Sequence, residues 1–188
     1  VLQLPQNQDP ETALPPWRNE LERFRKIVEK ETGVTITRER LQKAIQLMNR
    51  ERRARKALMD LNMATPAPLR GSELLEILFK VGFLADKEKG IELMEAVVAS
   101  FSNENENGCN SPSHTTDREG KSGNAATKKE RGTASGRKKR ILLTGVPVGL
   151  GSDKVVKLVE AGGADVVAFE NCSGYKQAFL VDENRNPM

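Results

Sequence analysis

The chain contains few of the residues on which many protein chemistries depend. In 188 residues there are two cysteines, one histidine, one tryptophan and one tyrosine. Cys109 and Cys172 lie in very different sequence surroundings, so they predict no disulfide framework. The histidine, His114, lies in a polar segment with no periodic pattern, which argues against a Cys–His catalytic pair.

Long apolar runs are also missing. No run approaches the ~18–20 residues needed to cross a membrane, and the amino end lacks the charged region and apolar core of a signal peptide. We therefore expect a cytoplasmic protein with no membrane partner. The chain does not begin with Met, and Asn186-Pro187-Met188 follows no closing element, so we expect a piece of a longer protein.

Residues 102–140 contain no Val, Ile, Leu, Met, Phe, Tyr or Trp. Such a segment buries too little apolar surface to offset its chain entropy, which predicts a disordered insertion or linker. It holds nine Lys/Arg and five Asp/Glu, whereas the rest of the chain is neutral. The basic balance therefore belongs to this segment and says little about a nucleic-acid face on the folded parts, so we do not expect a nucleic-acid partner. Cys109 and His114 are too isolated here to predict a zinc site.

Residues 1–101 predict an extended lead-in followed by helices. Prolines punctuate residues 1–16, and an amphipathic helix is expected from Trp17 to a stop at Gly33. Thr37 is a plausible N-cap for a longer helix that Pro66 and Pro68 would end. Two further helices are expected, beginning at Gly71 and after Asp86.

Residues 141–188 predict the first βαβ unit of an α/β domain. Residues 141–143 form a short apolar run, typical of a parallel strand that is buried on both faces. A helix should follow from Ser152 or Asp153, carrying Val155, Leu158 and Val159, and residues 165–169 form the next strand. The fold class is therefore α/β, a helical region followed by the start of a parallel sheet.

A glycine-rich loop joins the predicted strand to the predicted helix. Glycines allow a ligand to approach the backbone closely, and a helix amino end attracts anions. The loop supplies candidate cofactor-binding residues, namely Gly145, Pro147, Gly149, Gly151 and Ser152. The established nucleotide-binding spacings are absent, so a tight turn without a ligand remains an equal alternative. Glu170, about 25 residues after Gly145, keeps open an NAD-binding alternative.

Cys172 follows the second strand in the sequence Glu-Asn-Cys-Ser-Gly. A cysteine at the carboxyl end of a parallel strand suits a metal-ligating thiolate or a nucleophile. A partly buried cysteine acting as a small hydrophobic residue is the more frequent case. One cysteine cannot hold a metal cluster, so ligation would need further ligands from elsewhere.

Residues 140–154 and 170–176 resemble the 2-hydroxyacyl-CoA dehydratase and benzoyl-CoA reductase D-component family, nearest its double-cubane-cluster reductases. The resemblance covers residues 1–101 and 140–188. Its amino-terminal part includes Leu4-Pro5-Gln6, Trp17, Glu20-Leu21, Glu31-Thr32-Gly33, Ile36-Thr37, Leu41, Ala44-Ile45, Asn49, Arg52-Arg53 and Gly71-Ser72-Glu73.

The resemblance implies an oxygen-sensitive iron–sulfur enzyme with flavodoxin-like domains. Family members carry a 4Fe-4S or double-cubane cluster and receive electrons from an ATP-driven activator protein. They pair with a second family subunit and act on acyl-CoA thioesters or other small substrates that are hard to reduce. Cys172 is the residue here that matches a cluster-associated cysteine.

The chain departs from the family in lacking other cysteine-bearing segments, and its 102–140 segment replaces a short connection. It is therefore expected to be inactive alone. Two alternatives to the redox enzyme component remain, an NAD-dependent Rossmann-type domain and a non-catalytic remnant that folds against a partner.

Overall fold

The computed structural model describes residues 2–106 and 138–185. Four helices come first, then a βαβ unit, which confirms an incomplete α/β domain. The elements are α1 (Pro10–Thr32), α2 (Arg38–Leu61), α3 (Gly71–Phe83), α4 (Lys87–Glu106), β1 (Arg140–Thr144), α5 (Lys154–Ala161), β2 (Asp165–Glu170) and a 3-10 turn (Tyr175–Gln177). The chain forms two compact units, one of residues up to Leu47 with those from Val181, the other Met48–Leu180.

Helix α1 begins seven residues earlier than the sequence predicts. The prediction of an extended stretch through residue 16 was wrong, because Asp9 caps a helix that starts at Pro10. The Asp9 carboxylate accepts a hydrogen bond from the Glu11 N–H at 3.2 Å. Proline at the first helical position loses no hydrogen bond and has a helical φ already. The predicted end is confirmed, since Gly33 adopts a left-handed φ of 68°.

Helix α2 begins where the sequence predicts. Thr37 Oγ1 accepts a hydrogen bond from the Arg40 N–H at 3.3 Å, which confirms the predicted N-cap. The helix ends at Leu61, before the two prolines. Its second half buries Ala54, Leu58 and Met59.

Helices α3 and α4 supply much of the core of the second unit. The predicted start of α3 at Gly71 is confirmed, and its Leu74, Leu75, Leu78 and Val81 are almost fully buried. The Asp86 carboxylate accepts a hydrogen bond from the Lys89 N–H at 3.2 Å before α4, as predicted. Ile91 and Met94 on α4 are fully buried.

Strands β1 and β2 are parallel, and the two differ in burial. Val166 to Phe169 on β2 are buried. The prediction that β1 is buried on both faces was wrong, because the Leu142 side chain is 57% exposed. Within the described residues, β1 pairs with β2 in a two-stranded sheet. The apolar sequence of β1 therefore predicted more burial than these neighbours provide.

The strand pairing contains one irregularity, and a buried asparagine side chain supplies a hydrogen bond there. Ile141 pairs with Val166 and Leu142 with Ala168, so the register skips Val167. Asn62 Nδ2 donates to the Val167 carbonyl at 3.3 Å, and Asn62 Oδ1 accepts from the Leu69 N–H at 2.9 Å. A buried carbonyl outside the ladder needs such a donor.

Of the three apolar residues predicted on helix α5, Val159 is partly buried, and the fully buried residue, Val156, is not among them. Val155 and Leu158 are 54% and 61% exposed, whereas Val156 is fully buried. In a helix of eight residues the apolar pattern is too short to choose between neighbouring faces. Asp153 is the N-cap residue but makes no side-chain capping bond.

Residues 107–137 lie outside the described residues. They include Cys109, His114 and most of the polar segment predicted to be an insertion between helix and sheet. Helix α4 continues to Glu106, five residues into that segment, and β1 begins at its last residue, Arg140. None of the helices that the structure describes is long and apolar enough to cross a membrane.

Candidate functional site

Two loops meet at the carboxyl ends of the parallel strands. The first, residues 145–152 after β1, is called the glycine loop below, and the second, residues 171–174 after β2, the cysteine loop. Thr144 Oγ1 donates to Glu170 Oε2 at 3.1 Å where the strands end. In an open α/β sheet this edge is where ligands bind.

Two side chains of the cysteine loop fasten it to the glycine loop. Asn171 Nδ2 donates to the Val146 carbonyl at 3.2 Å, and Ser173 Oγ donates to the Val148 carbonyl at 2.8 Å. Asn171 Oδ1 also accepts from the Ser173 N–H at 2.9 Å. The sequence analysis missed both residues, although Asx turns after a buried strand are a recognisable signal.

Backbone geometry accounts for two glycines of this loop, and close packing against a side chain accounts for a third. Gly145 and Gly151 have left-handed φ values of 107° and 89°, which side chains rarely adopt. A Cβ on Gly149 would lie 2.8 Å from Phe79 Cε2. These constraints hold without any ligand, so the glycine pattern by itself does not distinguish a tight turn from a binding loop.

The Ser152 hydroxyl, one of the predicted anion-binding groups of the glycine loop, is engaged within the loop. Ser152 Oγ donates to the Gly149 carbonyl and accepts from the Gly149 N–H, both at 3.1 Å. The Asp153 carboxylate at the amino end of α5 pairs with Lys157 Nζ at 2.8 Å. The hydrogen bond from Lys157 lowers the pKa of Asp153, so this helix end already carries a negative charge.

Cys172 lies at the exposed tip of the cysteine loop with a free thiol. Its carbonyl accepts a hydrogen bond from Gln177 Nε2. Next to it, Gly174 lies so close to β2 that a Cβ would be 2.1 Å from the Phe169 carbonyl oxygen. The loop therefore projects the thiol outward while its backbone is held against the strand.

Tyr175 connects the cysteine loop to helix α2. Its hydroxyl donates to Asp60 Oδ1 at 2.8 Å. Burial raises the pKa of Tyr175, and the hydrogen bond to Asp60 adds to the shift, so the phenol keeps its proton. The turn after Cys172 is thus fixed to a long helix.

The donor set near Cys172 does not suffice for a metal cluster. In residues 2–106 and 138–185 no group of three His, Cys, Asp or Glu side chains is arranged to hold a metal ion. An iron–sulfur cluster is normally held by several thiolates. The described chain therefore offers one accessible thiol, and further ligands would have to come from elsewhere.

Fold and site together define an α/β protein whose described cysteine stands exposed at the carboxyl edge of a parallel strand pair. The sequence model for "2-hydroxyglutaryl-CoA dehydratase, D-component" matches residues 1–188. The chain belongs to the 2-hydroxyglutaryl-CoA dehydratase D-component family, which confirms the resemblance inferred from residues 140–154 and 170–176.

A relative in Escherichia coli strain K12 agrees with this family. The chain is 32% identical over 176 residues to the protein named "Putative dehydratase subunit YjiM". The similarity covers 94% of this chain and 40% of that protein. The chain therefore spans about two fifths of the length of this curated relative.

Proposed function

We propose that this chain is part of a dehydratase subunit and that Cys172 supplies one thiolate ligand of its iron–sulfur cluster. The observation that carries the proposal is the free, exposed thiol at the carboxyl end of β2. Membership of the dehydratase family supplies the reaction class. The remaining ligands would come from parts of the full-length subunit beyond the described residues.

The cysteine loop holds the thiol in a defined place before any cluster binds. Asn171 and Ser173 fasten it to the glycine loop, and Tyr175 fastens it to Asp60. A ligand held in position loses less conformational entropy on binding. The loop's own residues thus act by orienting the Cys172 sulfur.

The glycine loop would border the same cluster. Its residues Gly145, Pro147, Gly149, Gly151 and Ser152 belong to the segment that Asn171 and Ser173 bind. The Ser152 hydroxyl already bonds within the loop, and Asp153 at the start of α5 already pairs with Lys157. This loop would therefore contribute shape and backbone contact to the cluster site rather than a phosphate site.

We propose the rest of the assembly from the family resemblance. An ATP-driven activator protein would donate single low-potential electrons to a 4Fe-4S or double-cubane cluster. The cluster would pass these electrons on to the substrate. A second family subunit would complete the enzyme, and a 2-hydroxyacyl-CoA or related small molecule would be the substrate. The NAD alternative gains no support from Glu170, which accepts a hydrogen bond from Thr144.

Iron content of the full-length subunit tests the proposal. The protein would be purified and reconstituted with iron and sulfide without oxygen, as wild type, Cys172→Ala and the matched control Cys109→Ala. We expect Cys172→Ala to lose bound iron and the electron paramagnetic resonance signal of the reduced cluster, because one thiolate is removed. The control should keep both.

Wild-type iron content and an unchanged spectrum in Cys172→Ala would refute the ligand assignment. Circular dichroism of each variant would establish that the fold survives, since an exposed cysteine contributes little to packing.

A further inference from the structure

A cavity of about 660 Å³ lies at the amino ends of the parallel strands, the sheet edge opposite the one that carries Cys172. Its walls come from residues 65–67 in the loop between α2 and α3, from residues 138–140 at the start of β1, and from Asp165 and Val167 on β2. All of these residues belong to the second compact unit.

Hydrogen bonds within the chain hold the walls of this cavity together. The Arg140 guanidinium donates to the carbonyl oxygens of residues 63–64 and to Thr65 Oγ1. The Asp165 N–H donates to the Lys139 carbonyl at 2.8 Å. The cavity therefore has its shape before anything binds, which lowers the ordering cost of binding.

The charges at the rim of the cavity do not balance. Three exposed cations, Lys138, Lys139 and Arg140, face a single acid of the lining, Asp165. Lys138 Nζ pairs with Asp165 Oδ1 at 3.2 Å, whereas the acceptors of Arg140 carry no formal charge. In the part of the chain that the structure describes, no acidic side chain pairs with Lys139. Two positive charges are thus left to attract an anionic partner.

The floor of the cavity is apolar. Ala67 and Val167 are 9% and 5% exposed, and with Ala168 they form a small buried cluster against which Tyr175 packs. Pro66 adds exposed apolar surface beside them. An apolar centre within a charged rim is the usual anatomy of a protein docking site.

The sequence of residues 107–137 does not complement this cavity. It contains six Lys/Arg and three Asp/Glu, so it carries the same sign of charge as the rim. It also contains no Val, Ile, Leu, Met, Phe, Tyr or Trp to cover the floor. A complementary occupant carries several carboxylates around one apolar side chain, and nucleic acid supplies the negative charge without that side chain.

We propose that this cavity docks an acidic peptide segment of a partner protein. One apolar side chain of the segment covers Ala67 and Val167, and the flanking carboxylates pair with Lys138 and Lys139. The site shares no residue with the glycine loop or the cysteine loop, so it stands independently of the function proposed above.

Fluorescence anisotropy of a labelled peptide, one leucine with two glutamates on each side, tests the proposal on the full 188-residue chain. We expect Lys138→Gln combined with Lys139→Gln to weaken peptide binding at least about fivefold, because two charge-assisted contacts are lost. The matched control is Lys80→Gln with Lys154→Gln. It also removes one ion-paired lysine, since Lys80 pairs with Glu76, and should change the affinity less than about twofold.

Asp165→Asn provides a test of the opposite sign. It removes the acid of the lining and frees Lys138, so we expect peptide binding to strengthen by about two- to threefold. Glu76→Gln, which frees Lys80 outside the cavity, is its control and should leave the affinity unchanged.

Two comparison ligands separate docking from simple charge attraction. A peptide with alanine in place of the leucine should bind more weakly, and so should a single-stranded oligonucleotide of the same charge. Absence of wild-type binding at about 1 mM peptide would overturn the proposal. Unchanged affinity in both the lysine pair and Asp165→Asn, or equally tight binding of either comparison ligand, would overturn it as well.

Discussion

At the residue scale, the position of Cys172, the candidate metal ligand, depends on neighbouring residues that would not themselves bind a metal. Gly174 allows the chain to turn against the Phe169 carbonyl, and Asn171 both accepts from Ser173 and donates to Val146. The thiol of Cys172 is left at the surface by these contacts. A free cysteine of the frequent kind would instead be buried as a small hydrophobic residue.

Gly174→Ala should destabilise the protein by about 1–3 kcal/mol, because the new Cβ overlaps the Phe169 carbonyl oxygen and Cβ. Urea unfolding followed by circular dichroism measures this change. The matched variant Gly82→Ala adds the same methyl group where no atom lies within 4 Å. It should be neutral or stabilise the protein by up to ~1 kcal/mol, as alanine favours a helix. Equal effects of the two substitutions would contradict the packing described for Gly174.

At the scale of elements, the helices and strands of the second unit are joined through polar contacts at helix ends. Glu160 on α5 accepts from the Ser72 N–H at 3.0 Å and from Ser72 Oγ at 2.7 Å, at the first turn of α3. The start of α3 lies so close to β2 that a Cβ on Gly71 would be 2.5 Å from Val166 Cβ. A carboxylate from one helix thus caps the helix packed beside it.

Glu160→Ala should lower the free energy of unfolding by about 1 kcal/mol, since it removes this cap from two donors at the start of α3. Glu92→Ala on α4 is the control, because Glu92 is an exposed acid, and it should stay within about 0.5 kcal/mol of wild type. Denaturant unfolding of the three proteins side by side measures the difference. A Glu160 variant as stable as the control would show that the contact contributes nothing.

The elements also show where sequence reasoning was sufficient. Caps and stops carry local signals, so the end of α1 at Gly33 and the starts of α2, α3 and α4 were predicted correctly. The start of α1 was missed because the four prolines of residues 1–16 indicated extended chain, whereas Asp9 in fact caps a helix that begins at Pro10. The exposure of Leu142 and the buried face of α5 depend on neighbours in space, which local periodicity does not contain.

The candidate site was predictable to a similar extent. The sequence placed the glycine loop and Cys172 together, because parallel strands end at one edge of a sheet. It did not reveal that Asn171 and Ser173 join the loops, or that the Ser152 hydroxyl bonds within its own loop. These contacts depend on distances across the edge rather than on residue type.

At the scale of the whole molecule, the chain is a dehydratase-family segment that presents one thiol and lacks, in its described residues, the rest of a metal-binding group. Its similarity to the Escherichia coli relative covers 40% of that protein. Under the function proposed above, the cluster would form where this segment meets the remainder of a longer subunit, so the Cys172 environment would change on assembly.

Thiol footprinting tests that central claim most directly. The full-length subunit, before and after anaerobic iron and sulfide reconstitution, would be treated briefly with N-ethylmaleimide, and the labelling of Cys172 and Cys109 quantified by peptide mass spectrometry. We expect rapid labelling of Cys172 without iron, strong protection of Cys172 once the cluster is assembled, and no change at Cys109. Equal labelling of Cys172 in the iron-free and iron-loaded protein would contradict it.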